Sequence, residues 1–296
     1  MLVEVLSVLP LRPGATVVDG TLGLAGHARE MATRIAPGGW LIGLDWDEDM
    51  LKEAQLRLRD ITDVETTFVK ADYRQLPDIL EREAALRNRA ALADAILLDL
   101  GLNQAQIDDA ERGISFRQQG PLDMRMDRSR GETAAGLLNR LSPAEIERIL
   151  RDYGDERWAK RIAQVIVDRR KDNPLRTTQD LVDCVLAAIP PAMREKRIHP
   201  ATRTFQALRI AVNHELDDLQ DTIEVIAHKL AKEGVLCVLS YHSGEDRAVK
   251  RALRTLSGAE FAEVYKKPLS PSAEEIARNP KSRSAKLRAV RRLSVS

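Results

Sequence analysis

Between Thr16 and Glu30 the chain reads TVVDGTLGLAGHARE: a β-prone run ending in an acid, glycines at every third place (Gly20, Gly23, Gly26), then a helix-like segment. A side-chain-poor turn at the carboxyl end of a strand, feeding a crossover helix, belongs to open α/β sheets, which hold small ligands at that place. The spacing is G-x-x-G-x-x-G. A dinucleotide fingerprint needs G-x-G-x-x-G, and a P-loop needs Gly-Lys-Ser/Thr, which is absent. The turn therefore argues weakly for a pyrophosphate. Taken alone it is as readily a plain connection as a binding loop.

The rest of the chain supports the parallel sheet. Leu2–Leu9 reads as a short covering helix that stops before Pro10. Strands are expected at Ala15–Asp19, Trp40–Asp45, Thr66–Ala71 and Ala93–Leu100, with helices at His27–Ile35, Met50–Arg59 and Leu76–Arg87 between them. The apolar run ADAILLDL suits a strand buried on both faces, and short connections imply right-handed βαβ units. After Gly101 the alternation stops. Residues 110–205 hold no convincing strand, but Trp158, Ile162, Val165 and Ile166 share one helical face, as do Leu181, Val185 and Leu186. This is an inserted all-helical domain, so the domains are expected at 1–109, 110–205 and 206–296. Apolar residues spaced three or four apart predict one long helix over Thr204–Lys232, ended by Gly234. A strand at Val235–Tyr241, a helix at Asp246–Leu256 and a closing strand pair at Phe261–Lys266 and Ala285–Arg291 complete the sheet.

Asp45 closes the second strand 25 residues after Gly20, where this sheet type grips ribose hydroxyls. A nucleoside ligand follows, and S-adenosyl-L-methionine fits: it has ribose and adenine, with an amino-acid tail in place of phosphates. Asp19 and the loop backbone are placed to meet that tail. Asp99, at the end of the fourth strand, is the third strand-end acid. A lone acid there is more often a cap, but three on adjacent strands converge on one crevice.

Composition adds exclusions. Cys184 and Cys237 lie far apart in apolar settings, as core residues of a reducing compartment rather than a disulfide or metal pair. MLVEVLSVLP lacks a basic flank and is too short to span a bilayer. A cytoplasmic protein with no metal and no membrane partner is expected. The 46 basic and 45 acidic residues nearly cancel, so only their distribution informs. Arg278–Arg292 holds seven basic residues and no acid, which favours phosphate contact. Arg148–Lys171 holds eight basic residues against four acids, a weaker signal.

The segments VVDGTLGLAGHA, LLDLGLNQAQIDDAERGISF, GPLDMRMD, YGDERWAKRIAQVIV, HPATRTFQALRIAVNHEL, SYHSGEDRAVK and KKPLSPSAEEIARNPKSRSAKLR together resemble the bacterial ribosomal RNA small-subunit methyltransferase H (MraW) family, in family order along nearly the whole chain. The resemblance implies a Rossmann-like S-adenosylmethionine-dependent methyltransferase fold with a helical insertion. It also implies methylation of the N4 amine of a cytidine in the decoding centre of 16S rRNA, with RNA bound within the small (30S) ribosomal subunit or its precursor. Carried over by motif, cofactor contacts fall on Ala25, Gly26, His27, Asp45, Tyr73, Asp99 and Gln106. By position, the catalytic candidates are Asp99, Asn103 and His242. The chain departs from the family pattern in four places. Ala25 replaces a glycine of G-x-G-G-H, and a methyl group there is tolerable if φ is negative. Asn103 and Gln104 replace the serines of D-L-G-V-S-S, Tyr241 and Gly244 fall in the usual S-F-H-S-L-E-D, and the N-terminal His-x-Pro-Val segment is not seen. Two other readings stay open: a ribosome-assembly factor that keeps the cofactor fold with weak or no activity, and a methyltransferase for a protein or small molecule.

Overall fold

The computed structural model describes residues 1–294 except Asn103 and Lys196, and the side chains of Gln104, Ala105 and Lys281 are also outside the description. The expected alternation is present. Helix α1 (Leu2–Val8) precedes β1 (Thr16–Asp19), α2 (Gly26–Ile35), β2 (Gly39–Asp45), α3 (Glu48–Leu58), β3 (Val64–Lys70), α4 (Leu76–Leu86) and β4 (Ala93–Asp99). Six helices follow: α5 (Gln104–Asp108), α6 (Ala134–Arg140), α7 (Pro143–Gly154), α8 (Ala159–Arg170), α9 (Thr178–Ala188) and α10 (Thr202–Asn213). Then come α11 (Leu219–Ala227), β5 (Leu230–Ser240), α12 (Ser243–Leu256), β6 (Phe261–Glu263), α13 (Ala273–Arg278) and β7 (Lys286–Arg292).

Seven strands form one sheet in the order β3-β2-β1-β4-β5-β7-β6. The first five are parallel, and β7 runs antiparallel to both β5 and β6. This is a Rossmann-like sheet. Strand order reverses between β1 and β4, which opens a crevice at their carboxyl ends. Every residue of β2 is buried, as a strand covered on both faces requires. Trp40 is fully buried, so its indole N–H needs a partner and donates to Thr67 Oγ1 at 3.0 Å.

The chain divides into two compact units, one of Met1–Gly101 with the chain from Asp218 onward, the other Leu102–Asp217. The sequence reading sets the junctions at 109/110 and 205/206. In the helical unit no strand occurs among the described residues. Ile162, Ile166, Leu181 and Val185 are fully buried there, together with Leu150 of α7 and Leu208 of α10. Helices α7 and α9 open on capping boxes, Ser142 with Glu145 and Thr177 with Asp180, which satisfy amides that a helix start leaves free.

Two expectations need correction. The single helix over 204–232 is two helices, because His214 and Asp218 adopt left-handed backbone (φ 54° and 50°). The turn is fixed by side chains: Arg209 is bidentate to Glu215 at 2.8 and 2.7 Å, and Asn213 donates to the Met124 and Arg209 carbonyls. Gly234 ends no helix. It lies inside β5, where pairing with β4 jumps from Ala93–Leu230 to Ala95–Val235. A Cβ at Gly234 would sit 2.9 Å from the carbonyl oxygens of Ala231 and Ala93, so this bulge requires glycine.

The basic C-terminal segment also differs from expectation. Lys286 Nζ and Arg288 Nε of β7 each lie 2.8 Å from Asp246 of α12, and Arg288 is buried. Arg292 donates to the carbonyls of His228 and Leu230, and Arg291 lies 3.9 Å from Glu233. Four of the seven cations are thus engaged within the protein. No described helix is long and apolar enough to cross a membrane.

Candidate active site

The glycine turn after β1 is held by its neighbours on both sides. Toward β2, Leu22 N–H donates to the Leu44 carbonyl and Gly23 N–H to Asp45 Oδ2, both at 2.8 Å. Toward β4, Gly20 N–H donates to the Leu97 carbonyl at 2.9 Å, and Asp99 N–H donates to Thr21 Oγ1 at 2.6 Å. A Cβ at Gly20 would fall 2.6 Å from Leu98 Cδ2 and 3.3 Å from Tyr73 Cβ. Bare backbone is what lets the Tyr73 segment and β4 approach here.

Three carboxylates gather at this end of the sheet. Asp19 is buried and accepts from Thr21 N–H at 3.1 Å. Burial, reinforced by the neighbouring charges of Asp99 and Asp45, raises its pKa to about 7. Asp45 accepts from Gly23 N–H through one oxygen and from Asp47 N–H, at 2.8 Å, through the other. Asp99 keeps 24% of its side-chain surface exposed. Its Oδ1 accepts from the Tyr241 hydroxyl at 2.7 Å, and its Oδ2 lies 3.5 Å from His27 Nδ1. Burial raises the Asp99 pKa, while His27 and Tyr241 act the other way. Burial lowers that of His27, so at neutral pH the imidazole is a neutral neighbour and not an ion-pair partner. No lysine or arginine pairs with Asp19 or Asp99 among the described residues. A crevice of this charge suits a cationic ligand.

The loop residues take specific roles in the fold. Ala25 is buried at the start of α2 with φ 59° and ψ 28°. The condition under which a methyl group is easily tolerated, a negative φ, is not met: the residue sits in the left-handed region that a glycine occupies freely. Gly26 is exposed, and His27 is half-buried in the first turn. Tyr73 is half-buried after β3, with the Arg74 guanidinium 5.1 Å from its ring centroid. His242 starts α12, where its Nδ1 accepts from Glu245 N–H at 3.4 Å, and buried Nε2 has no hydrogen bond. Gln106 is buried in α5 of the helical unit. Asn103 lies outside the described residues. Two contributors escape the sequence reading. Thr21 anchors the loop to β4, and Tyr241, visible only as a departure from a motif, holds Asp99.

A profile of the MraW methylase family matches residues 1–293. The Ribosomal RNA small subunit methyltransferase H of Pelobacter propionicus is 46% identical over 307 aligned positions, covering 98% of this chain and 96% of that protein. The protein of the same name from Heliobacterium mobile is 43% identical over 309 positions, covering 99% and 97%. A solved rRNA methylase from Streptococcus thermophilus aligns over 99% of this chain and 92% of its own, at 12% identity and a TM-score of 0.42. On the strength of a match that runs the length of the sequence, this chain belongs to the MraW methylase family.

Proposed function

We propose that this protein transfers the methyl group of S-adenosyl-L-methionine to the N4 amine of a decoding-centre cytidine in 16S rRNA, acting in the cytoplasm on the small (30S) subunit or its precursor. The observation that carries the reading is the acid-lined crevice at the tips of β1, β2 and β4, where no lysine or arginine pairs with Asp19 or Asp99 among the described residues. The relatives' shared name, Ribosomal RNA small subunit methyltransferase H, supports the RNA substrate.

The cofactor supplies an electrophilic methyl on a sulfonium sulfur. Asp45 suits ribose hydroxyls, and half-buried Tyr73 after β3 offers an aromatic face to adenine. Asp19 and Asp99 offset positive charge, and the start of α2 at Gly26 and His27 presents amides to a carboxylate, beside Ala25, whose own N–H is donated to the Leu22 carbonyl. Gln106 is assigned by the family pattern alone, and Asn103 by its position in the sequence alone.

The cytosine amine is a weak nucleophile because its lone pair is delocalised, so positioning supplies much of the acceleration. The amine must also lose a proton as the new N–C bond forms. Asp99 takes that role: burial makes its carboxylate a stronger base than an exposed one. Tyr241 and His27 fix where its two oxygens point. His242 ranks below it, since one ring nitrogen is already engaged as a helix cap.

Mass spectrometry of 16S rRNA fragments, after incubating 30S subunits with protein and cofactor, tests cofactor, base and position together. A single added methyl on N4 of a decoding-centre cytidine is expected. Asp99→Ala should lower transfer by roughly 10²–10⁴-fold while the protein still unfolds cooperatively. Near-normal turnover by that variant would remove Asp99 from the chemistry.

A further inference from the structure

The eight basic residues of segment 148–171 sort sharply once their surroundings are seen. Arg151 meets Glu147 and Asp152, Arg169 meets Asp180 and Asp183, and Lys171 meets Asp168. Arg170 donates to the carbonyls of Leu138 and Leu141, and Arg148 lies in the field of Glu145. Arg157, Lys160 and Arg161 remain. All three are exposed, and none has an acidic partner among the described residues.

These three line one surface depression together with Trp158 and Gln164. An adjoining depression shares Arg157 and Trp158 and adds Met193, Ile198 and His199; its two acids are engaged, Glu195 by Arg203 at 2.8 Å and buried Glu156 by the Trp158 N–H at 2.9 Å. Met193 and Ile198 are 54% and 38% exposed, apolar surface that water penalises. His199 is exposed and stacks on Phe116, with centroids 4.5 Å apart and planes 26° apart. Phe116 is in turn braced edge-on by Phe205 at 5.2 Å. The imidazole is thus a flat surface of fixed plane.

Local stability does not favour this arrangement. Lys160 and Arg161 occupy the first turn of α8, which holds no acid, and cations there oppose the helix dipole. Unpaired cations beside a braced aromatic stack are what a flexible polyanion with flat bases needs: phosphates meet the charges, and bases stack on the rings. An acidic peptide would use the charges and leave the stack idle.

We infer that this face of the helical unit docks a single-stranded RNA segment, with its phosphates on Arg157, Lys160 and Arg161 and its bases against the His199–Phe116 stack and Trp158. The identity of that RNA in the cell rests on the rRNA reading above.

The test uses the full chain and a fluorescent single-stranded oligouridylate. In the triple variant R157S/K160S/R161S, affinity at low salt should fall about tenfold or more, and the slope of log affinity against log salt should shrink by about 2, at roughly 0.7 per lost phosphate contact. His199→Ala should weaken binding about fivefold with the slope unchanged. Thermal stability of the triple variant should equal or slightly exceed that of the parent, since Lys160 and Arg161 oppose the dipole of α8, and cofactor affinity should match. The proposal is overturned if affinity and slope are unchanged, if a duplex of equal length binds as well and loses as much, or if polyglutamate competes as well as RNA. Intact methylation of 30S subunits by a protein that fails this test would leave the proposed function standing. Expected losses here, with no methyl transfer to 16S rRNA by the parent, would overturn that function and leave the docking face.

Discussion

Two basic segments of this molecule look alike on paper and behave oppositely in space. Arg278–Arg292 itself contains no acid, yet four of its seven cations are engaged by the fold: Lys286 and Arg288 close on Asp246, some forty positions earlier, and Arg291 and Arg292 meet Glu233 and backbone carbonyls. Segment 148–171 is interleaved with acids, yet three of its cations have no acidic partner among the described residues. Charge partners in a sheet come from neighbouring strands and packed helices. Those on a helix surface come from three or four residues away. A local count of charges therefore misjudges both segments, in opposite directions.

The comparison breaks most visibly at Arg288. If that cation is structural, Arg288→Met should cost about 2 kcal/mol, less than the loss of a lone buried ion pair because Lys286 still faces Asp246. Urea titration reads the loss, while oligouridylate affinity and its salt slope should stay at parent values. A reduced slope in this variant would return the tail to the RNA interface.

The same sorting applies to acids. Asp246 is neutralised by two cations, whereas Asp19 has none among the described residues, and its pKa is raised to about 7. Its folded pKa lies above the unfolded value of 3.8, so its contribution to stability is full below that value and is lost as pH rises through about 7. A bound cation favours the ionised form and reverses the penalty. Affinity for S-adenosyl-L-methionine should therefore rise on the order of tenfold from about pH 6 to 8. Calorimetry in buffers of different ionisation enthalpy should detect a proton released on binding. A flat profile with no proton release would show that Asp19 does not face the ligand's charge.

The smallest effect belongs to Ala25. Relief of its left-handed strain in Ala25→Gly should stabilise the protein by about 1 kcal/mol, net of the added freedom of the unfolded chain. A fall in thermal stability instead would mean that the buried methyl contributes packing that outweighs the strain.

How much was legible follows the same division. Strands β1, β2 and β4 were readable because burial on both faces writes an apolar run, and each ends in an acid, whereas β3 is partly exposed and ends in Lys70. The break between α10 and α11 was not, because the three-four spacing of Val212, Leu216 and Leu219 continues across a turn fixed by Arg209, Glu215 and Asn213. At the site, Asp19, Asp45 and Asp99 were legible as strand-end acids. The backbone sign at Ala25 and the Tyr241–Asp99 bond were not, since each depends on where a distant segment lies.

The four hydrogen bonds that tie the glycine turn to β2 and β4 carry a dynamic consequence. A loop held at both flanks has lost its conformational freedom before any ligand arrives, so binding does not have to order it. Its amides should exchange with solvent only through openings large enough to separate neighbouring strands. Gly23 N–H and Asp99 N–H are the probes, and their protection should approach that of the central sheet. Product escape then has to be timed by some other part of the protein, because this loop opens only when the sheet does.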